Sequence, residues 1–169
     1  MERIRIKSFS IVFACVLGGM VLSMGFFAFS HCLAGEAKSH NGQTVYVPIY
    51  SFIYYGNKFK KIDLTATLSI RNTDLVHAIE ILAVDYYNSD GKLIKEHVEK
   101  PIKLASLAST HFQVAESDLS GGLGASFVVQ WKAEQKVSSP IVESVMIGAI
   151  SAQGISFVCR GEVIRASAD

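Results

Sequence analysis

From about residue 43 onward, the chain consists of short runs in which apolar and polar residues alternate. The clearest run spans 62–71, where every second residue is apolar: Ile62, Leu64, Ala66, Leu68 and Ile70. Because neighbouring side chains of a β-strand point to opposite faces of the sheet, this period predicts a strand with one buried face. No stretch after Asn41 shows a helical period with capping residues. The alternation therefore indicates an all-β fold.

Turn-forming residues divide the remaining chain into further strands. Asp90-Gly91 lies between two apolar runs and predicts a hairpin, since glycine readily adopts a positive φ. In the run 125–134, Phe127, Val129 and Trp131 are predicted to point inward. The other predicted strands span 79–87, 93–98, 101–104, 109–114, 141–150 and 155–164. Seven to nine short strands predict an immunoglobulin-like antiparallel β-sandwich over residues 43–165.

The N-terminal segment has the pattern of an export signal. Three cations among the first seven residues precede residues 9–30, a run of 22 residues without a charge. We expect residues 1–34 to be either a signal peptide cleaved after Ala34 or a retained membrane anchor. As a helix, residues 9–30 would reach about 33 Å, close to the ~30 Å hydrocarbon core of a bilayer. Residues 35–42 form a polar spacer, and the domain is predicted to be periplasmic or anchored to the inner membrane facing the periplasm.

Composition excludes several classes of protein. Half of the residues are hydrophobic, which excludes a disordered chain. The 16 cations and 15 anions give no basic excess, so we predict no nucleic-acid partner. Of the three cysteines, only Cys159 lies beyond Ala34. An exported domain therefore contains no internal disulfide, and Cys159 is predicted to be buried.

Several segments together resemble an exported bacterial family that has no assigned function, domain of unknown function 3124. They cover most of the chain after residue 42 and comprise Gly42 to Ser51, Leu68 to Asp74, Val84 to Lys92, Glu116 to Asp118, Val145 to Gly148 and Gln153 to Phe157. The resemblance implies an exported bacterial protein. It implies no reaction, and it supplies no catalytic residues.

Motifs for catalysis, phosphate binding and metal binding are absent from the sequence. We therefore predict no catalytic residues, no cofactor and no metal. The weak candidates for a calcium site are the carboxylates Asp85, Asp90, Glu116 and Asp118. The simpler interpretation is that Asp85 and Asp90 hydrogen-bond the amides of their own hairpin and that Asp118 shapes a turn. His97 and His111 are interpreted as surface residues of strands.

The segment from Val45 to Tyr55 contains the candidate binding residues. If it is one regular strand, Val45, Val47, Ile49 and Ile53 face the core, and the opposite face carries an aromatic row of Tyr46, Tyr50, Phe52 and Tyr54. Such a row beside a strand edge could bind an envelope protein, a peptide or a glycan. The alternative is that the chain crosses between sheets at Pro48, because proline cannot donate to a sheet ladder, so that both sets of side chains are buried with the tyrosine hydroxyls at the rim.

These observations predict an exported, non-catalytic binding or accessory module of the bacterial envelope, with residues 9–30 as a membrane tether if they are retained. The alternative is a carboxylate-site metal-binding protein or enzyme, with its residues at the 85–90 hairpin and the 116–118 loop.

Overall fold

A computed structural model describes residues 39–150 and 153–166, and within these ranges the chain forms twelve β-strands and no helix. No helix in these ranges is long and apolar enough to cross a membrane. The strands are β1 (Ser39–Pro48), β2 (Phe52–Tyr55), β3 (Lys60–Asp63), β4 (Thr65–Arg71), β5 (Ile79–Tyr87), β6 (Leu93–Glu96), β7 (Ile102–Leu104), β8 (Ser109–Val114), β9 (Ser126–Ser138), β10 (Ile141–Ile150), β11 (Gln153–Arg160) and β12 (Glu162–Ala166).

The strands form three sheets, and every pairing among them is antiparallel. A six-stranded sheet has the order β12-β1-β9-β5-β6, with β7 also paired to β5, and a four-stranded sheet has the order β11-β10-β4-β8. Strands β2 and β3 form a separate two-stranded sheet, which we call the β2–β3 hairpin. The prediction of an all-β antiparallel sandwich is thus confirmed.

The inner faces of the two larger sheets supply one hydrophobic core. The alternation in 62–71 is confirmed, because Leu64, Ala66, Leu68 and Ile70 are buried, but the run is not one strand, since Ile62 belongs to β3 and the residues from 65 onward form β4 in another sheet. The inward positions predicted on β9 are confirmed as well: Phe127, Val129 and Trp131 are almost completely buried. The chain from Ala37 to Asp169 forms a compact unit. The predicted export segment 1–34, including the tether 9–30, lies outside the described residues.

The predicted strand 155–164 is wrong as a single strand, because this run divides into two strands that belong to different sheets. Strand β11 pairs with β10, the chain crosses at Gly161, and β12 pairs with β1. The Gly161 amide donates to the Val142 carbonyl at 2.8 Å. A Cβ atom at Gly161 would lie 2.6 Å from Cγ1 of Val45, so the crossover fits only a residue without a side chain.

Strand number and some boundaries also differ from the prediction. Twelve strands are present in the described ranges instead of seven to nine, because the predicted runs 45–55, 62–71 and 155–164 each divide into two strands. Strand β1 begins at Ser39, inside the segment predicted as a spacer. Its early start adds pairing to β9, in which Ser39 lies opposite Ser138.

Candidate functional site: the β2–β3 hairpin

The aromatic row predicted on one strand is divided between three places. Strand β1 ends at Pro48, and the chain leaves the six-stranded sheet before β2 begins at Phe52. Over this crossing the Ile49 amide donates to the Ala125 carbonyl and the Ser51 amide donates to the Gly122 carbonyl, both at 3.0 Å. Because β1 and β2 lie in different sheets, the crossing at Pro48 is confirmed, but the burial of both sets of side chains is not, since Tyr54 is 51% exposed.

The four predicted aromatic residues therefore occupy three different environments. Tyr46 is 36% exposed and lines a shallow cavity of about 270 Å³ with Tyr87 and Asn88. The ring of Tyr50 packs edge-on against Phe157, with 5.7 Å between ring centroids. Phe52 and Tyr54 lie together on the β2–β3 hairpin, where their centroids are 5.4 Å apart. The structure thus brings two of the four residues into one cluster.

The hairpin reverses through the four residues 56–59. Tyr55 pairs with Lys60 and Tyr54 pairs with Lys61, and the Phe59 amide donates to the Gly56 carbonyl at 3.3 Å. The backbone has a positive φ at Gly56 (65°) and at Phe59 (48°). For a bulky residue such as phenylalanine this left-handed conformation is costly. The tip of the hairpin therefore holds an aromatic side chain at a position that suits glycine.

Aromatic rings and lysine side chains cover the outer part of the hairpin. Phe59 is 76% exposed, Tyr54 51% and Tyr55 41%. The rings of Tyr54 and Phe59 meet edge-on at 6.4 Å. The ammonium of Lys61 lies 4.6 Å from the centroid of the Phe52 ring and 3.0 Å from the Asp63 carboxylate. Lys58 and Lys60 are exposed and have no carboxylate partner within the described residues.

The base of the hairpin is fixed against the sandwich. Ile53 and Ile62 pack on the core, and the Leu64 amide donates to the Ser51 carbonyl at 2.9 Å. Strand β10 approaches this base so closely that a Cβ atom at Gly148 would lie 2.6 Å from Leu64 and 2.8 Å from the Asp63 carbonyl. A rigid base with an exposed tip leaves the aromatic and lysine side chains available for contact.

The four candidate carboxylates do not form a metal site. Asp85 lies opposite Glu96 in the ladder between β5 and β6, and Asp90 is exposed in the turn that follows β5. Burial raises the pKa of Asp85, and the charge of Glu96 raises it further. Within residues 39–150 and 153–166, no three His, Cys, Asp or Glu side chains are grouped closely enough to hold a metal ion.

Hydrogen bonding at the 85–90 hairpin and at the 116–118 loop differs in part from the prediction. The amides of Asp90 and Lys92 donate to Oδ1 of Asn88, so the side chains that were predicted to hold the hairpin amides, Asp85 and Asp90, do not do so. The turn at Asp118 is confirmed, because its carboxylate accepts the Ser120 amide at 3.0 Å. Glu116 is exposed in the same loop.

Ser89 joins the β5–β6 turn to the glycine-rich loop. Its hydroxyl donates to the Gly121 carbonyl at 3.0 Å and accepts the Gly124 amide at 2.9 Å. A Cβ atom at Gly122 would lie 2.6 Å from this hydroxyl oxygen, and Gly122 has a φ of 75°. The Ser89 hydroxyl is therefore engaged in a structural contact between two loops.

The two histidines and the cysteine have different environments. His97 packs edge-on against Phe112 and Phe127, with both centroid distances at 5.6 Å, whereas His111 is exposed on β8. Burial lowers the pKa of His97, as does the neighbouring charge of Lys95. Cys159 is half-buried and has no disulfide partner within the described residues, and burial raises the pKa of its thiol. A thiol with a raised pKa is a poor nucleophile.

Comparison with known families assigns this domain to one of them. The family model described as "Protein of unknown function (DUF3124)" matches residues 42–164. The chain belongs to the DUF3124 family. The matched range includes all of strands β2 to β11, so the β2–β3 hairpin is part of the DUF3124 domain. A solved structure titled "Crystal Structure of Thermotoga maritima 1070" is similar at 11% identity and a TM-score of 0.45, covering 74% of this chain and 97% of that chain. No curated protein matches the chain.

Sequence reasoning missed two members of the aromatic cluster, Tyr55 and Phe59. The signal that would have found them is Gly56-Asn57, a turn dipeptide between an aromatic run and a lysine-rich run. A single strand from Val45 to Tyr55 leaves no place for this hairpin, so the predicted aromatic row ends before Phe59.

Proposed function

We propose that the DUF3124 domain is an exported, non-catalytic binding or accessory module of the bacterial envelope, which docks through the tip of the β2–β3 hairpin. The observation that carries the proposal is Phe59, which is 76% exposed and has a φ of 48°. A left-handed conformation costs a non-glycine residue about 1–2 kcal/mol. Glycine at this position would avoid both this cost and the exposed ring, so the phenylalanine is better explained by contact with a partner.

The surroundings of Phe59 support the same function. Tyr54 and Tyr55 are exposed beside it, Lys58 lies in the turn, and Lys60 and Lys61 follow the turn. Isolated apolar residues on a surface are common, but a contiguous exposed group marks an interaction site. The export part of the proposal is supported by the charged start and the uncharged run in residues 1–34.

The polar groups elsewhere support a binding role over a catalytic one. Ser89 is hydrogen-bonded between two loops, and Asn72 is buried with its amide directed to three carbonyls. Each of these side chains uses its hydrogen bonds to hold backbone segments in place. The hairpin differs from them because its exposed rings and its free lysines serve no contact in the core.

Site-specific photocrosslinking in the full chain, expressed in its own host, tests the proposed function. A photoreactive side chain is placed at Phe59 and, as a matched control, at Leu75, which is 77% exposed and lies beyond the other end of β4. We expect position 59 to form a reproducible crosslink to an envelope component and position 75 to form none. Identical crosslinks at both positions, or none at position 59, would contradict docking through the hairpin.

A further inference from the structure

We infer that the surface on which the hairpin docks is an anionic lipid bilayer, with the aromatic rings in the headgroup layer and the lysines on lipid phosphates. This inference rests on the proposed function, because it names the partner of the same hairpin. Tyrosine and other aromatic side chains favour the membrane–water interface, where an apolar ring and a polar edge are both satisfied. Lysines beside them gain from the negative potential of the surface.

The distribution of these residues over both faces of the hairpin favours a bilayer over a protein partner. Tyr54 lies opposite Lys61 and Tyr55 lies opposite Lys60. Since adjacent residues of a strand point to opposite faces, each face carries one tyrosine–lysine pair. A protein groove contacts one face of a two-stranded hairpin more than the other, whereas an interfacial layer surrounds the tip. The tip therefore presents a ring and a lysine on both faces, as contact with a surrounding interfacial layer requires, although nearer the base the face of Tyr55 packs on the core through Ile53 and Ile62.

Charge on the hairpin is local and positive. Lys58, Lys60 and Lys61 against Asp63 give the hairpin a net charge of +2, although residues 35–169 as a whole contain 13 cations and 14 anions. Lys61 is engaged with Asp63 and Phe52, which leaves Lys58 and Lys60 for a partner. A local positive charge on an otherwise slightly acidic chain attracts an anionic surface only at short range and only in one orientation.

The pair of strands β10 and β11 extends the apolar surface beside the β2–β3 hairpin. Tyr55 lines a cavity of about 220 Å³ with Ile62, Gly148 and Ile155, and Ile155 on β11 is partly exposed. The base of the β2–β3 hairpin is fixed by the Leu64–Ser51 hydrogen bond and by the close approach of Gly148, so the base needs no further ordering when the tip inserts.

Vesicle flotation tests the inference with the compact unit Ala37–Asp169, which contains the hydrophobic core formed by the described residues and lacks the apolar run 9–30 that would itself enter lipid. The two probes are phosphatidylcholine vesicles and vesicles with about 30 mol% phosphatidylglycerol. We expect at least about tenfold stronger binding to the anionic vesicles, and a loss of most of that binding between about 0.05 and 0.5 M NaCl. Equal binding to both vesicles, or binding to neither, would overturn the inference.

Two hairpin variants and one control locate the contact. Lys58→Gln with Lys60→Gln should remove the preference for anionic vesicles, and Phe59→Ser with Tyr54→Ser should weaken binding about tenfold or more. Leu75→Ser with Val76→Ser removes two equally exposed apolar residues at the opposite end of β4 and should leave binding unchanged. Circular dichroism verifies that each variant is folded, and the lysine variant remains informative if the aromatic variant does not fold. Loss of binding in the Leu75/Val76 variant alone would overturn the inference.

The two experiments separate failure of the inference from failure of the proposed function. A crosslink from position 59 to a protein or a glycan, together with no binding to vesicles, would reject the bilayer and keep the docking function. A crosslink to lipid together with preferential binding to anionic vesicles supports both. No crosslink at position 59 and no binding to vesicles would reject both.

Discussion

Single side chains fix the loop between β4 and β5, and Asp74 is central among them. Its carboxylate accepts the amides of Val76 at 2.9 Å, His77 at 2.8 Å and Ser138 at 3.1 Å. These hydrogen bonds to the charged form lower the pKa of Asp74 to about 2, with a smaller contribution from the charge of His77. Asp74 therefore stabilises the fold only while it is ionised.

Asp74→Asn should weaken the protein at neutral pH and change how its stability responds to acid. The pKa of Asp74 in the folded state lies below its unfolded value near 3.9, so its contribution is complete above that value and is lost as the pH falls toward 2. We expect the free energies of unfolding of the wild type and the variant to differ at pH 7 and to converge between about pH 4 and pH 2.

Urea unfolding at a series of pH values measures this difference, and Asp90→Asn is the matched control. The Asp90 carboxylate is exposed and accepts no hydrogen bond within the described residues. That variant should therefore follow the wild type at every pH. A constant gap between the wild type and Asp74→Asn down to pH 2 would show that the carboxylate charge does not hold this loop.

The sequence predicts that Asn72-Thr73-Asp74 ends a strand, and it does, but it does not predict what these residues bind. The Asn72 amide donates to the carbonyls of Leu104 and Ala105, more than thirty residues away, and Asp74 reaches Ser138. Turn propensity is a local property of the chain, whereas these partners are set by the packing of the two sheets.

At the scale of whole strands, the alternation of apolar and polar residues predicts where most strands lie but not which strands pair with each other. Strands β5, β8 and β10 have the bounds that the alternation predicts. The alternation does not predict that β1 pairs with β9, which begins roughly eighty residues after β1 ends. The candidate site shows the same limit, because Phe52 and Tyr54 were predicted and the hairpin that presents them was not. A period shows which face is buried, and pairing depends on contacts between distant segments.

The crossover between β11 and β12 should tolerate no side chain at Gly161. A Cβ atom there would lie 2.6 Å from Val45 and 3.0 Å from the Val142 carbonyl, so Gly161→Ala should lower the free energy of unfolding by about 1–3 kcal/mol. Gly154→Ala is the matched control on β11, since its added Cβ would meet nothing closer than 4.0 Å. Thermal or urea unfolding compares the two, and equal stabilities would contradict the proposed crowding at the crossover.

For the molecule as a whole, the predicted export segment determines how strongly the hairpin needs to bind. We expect cleavage after Ala34, and the mature chain then depends on the hairpin and its partner alone. A retained run at 9–30 would instead tether the domain to the bilayer, and even a weak second contact then becomes effective through its high local concentration.

Mass spectrometry of the untagged protein from its own host decides between these two states. A mass that corresponds to residues 35–169 in the soluble envelope fraction is the expected result. An intact chain that retains Met1 in the membrane fraction would contradict cleavage and identify residues 9–30 as an anchor. The distinction matters for the hairpin, because an anchored domain needs less affinity for lipid than a free one.

The pairing of β1 with β12 also limits when the domain can fold. Gln43 lies opposite Ala166 and Tyr46 lies opposite Glu162, so the first strand of the six-stranded sheet obtains its outer neighbour from residues synthesised 116 to 123 positions later. A chain that is still leaving the ribosome, or still passing through a translocation channel, cannot complete this sheet. If the protein is exported as proposed, the six-stranded sheet is completed only after the last strand has crossed the membrane.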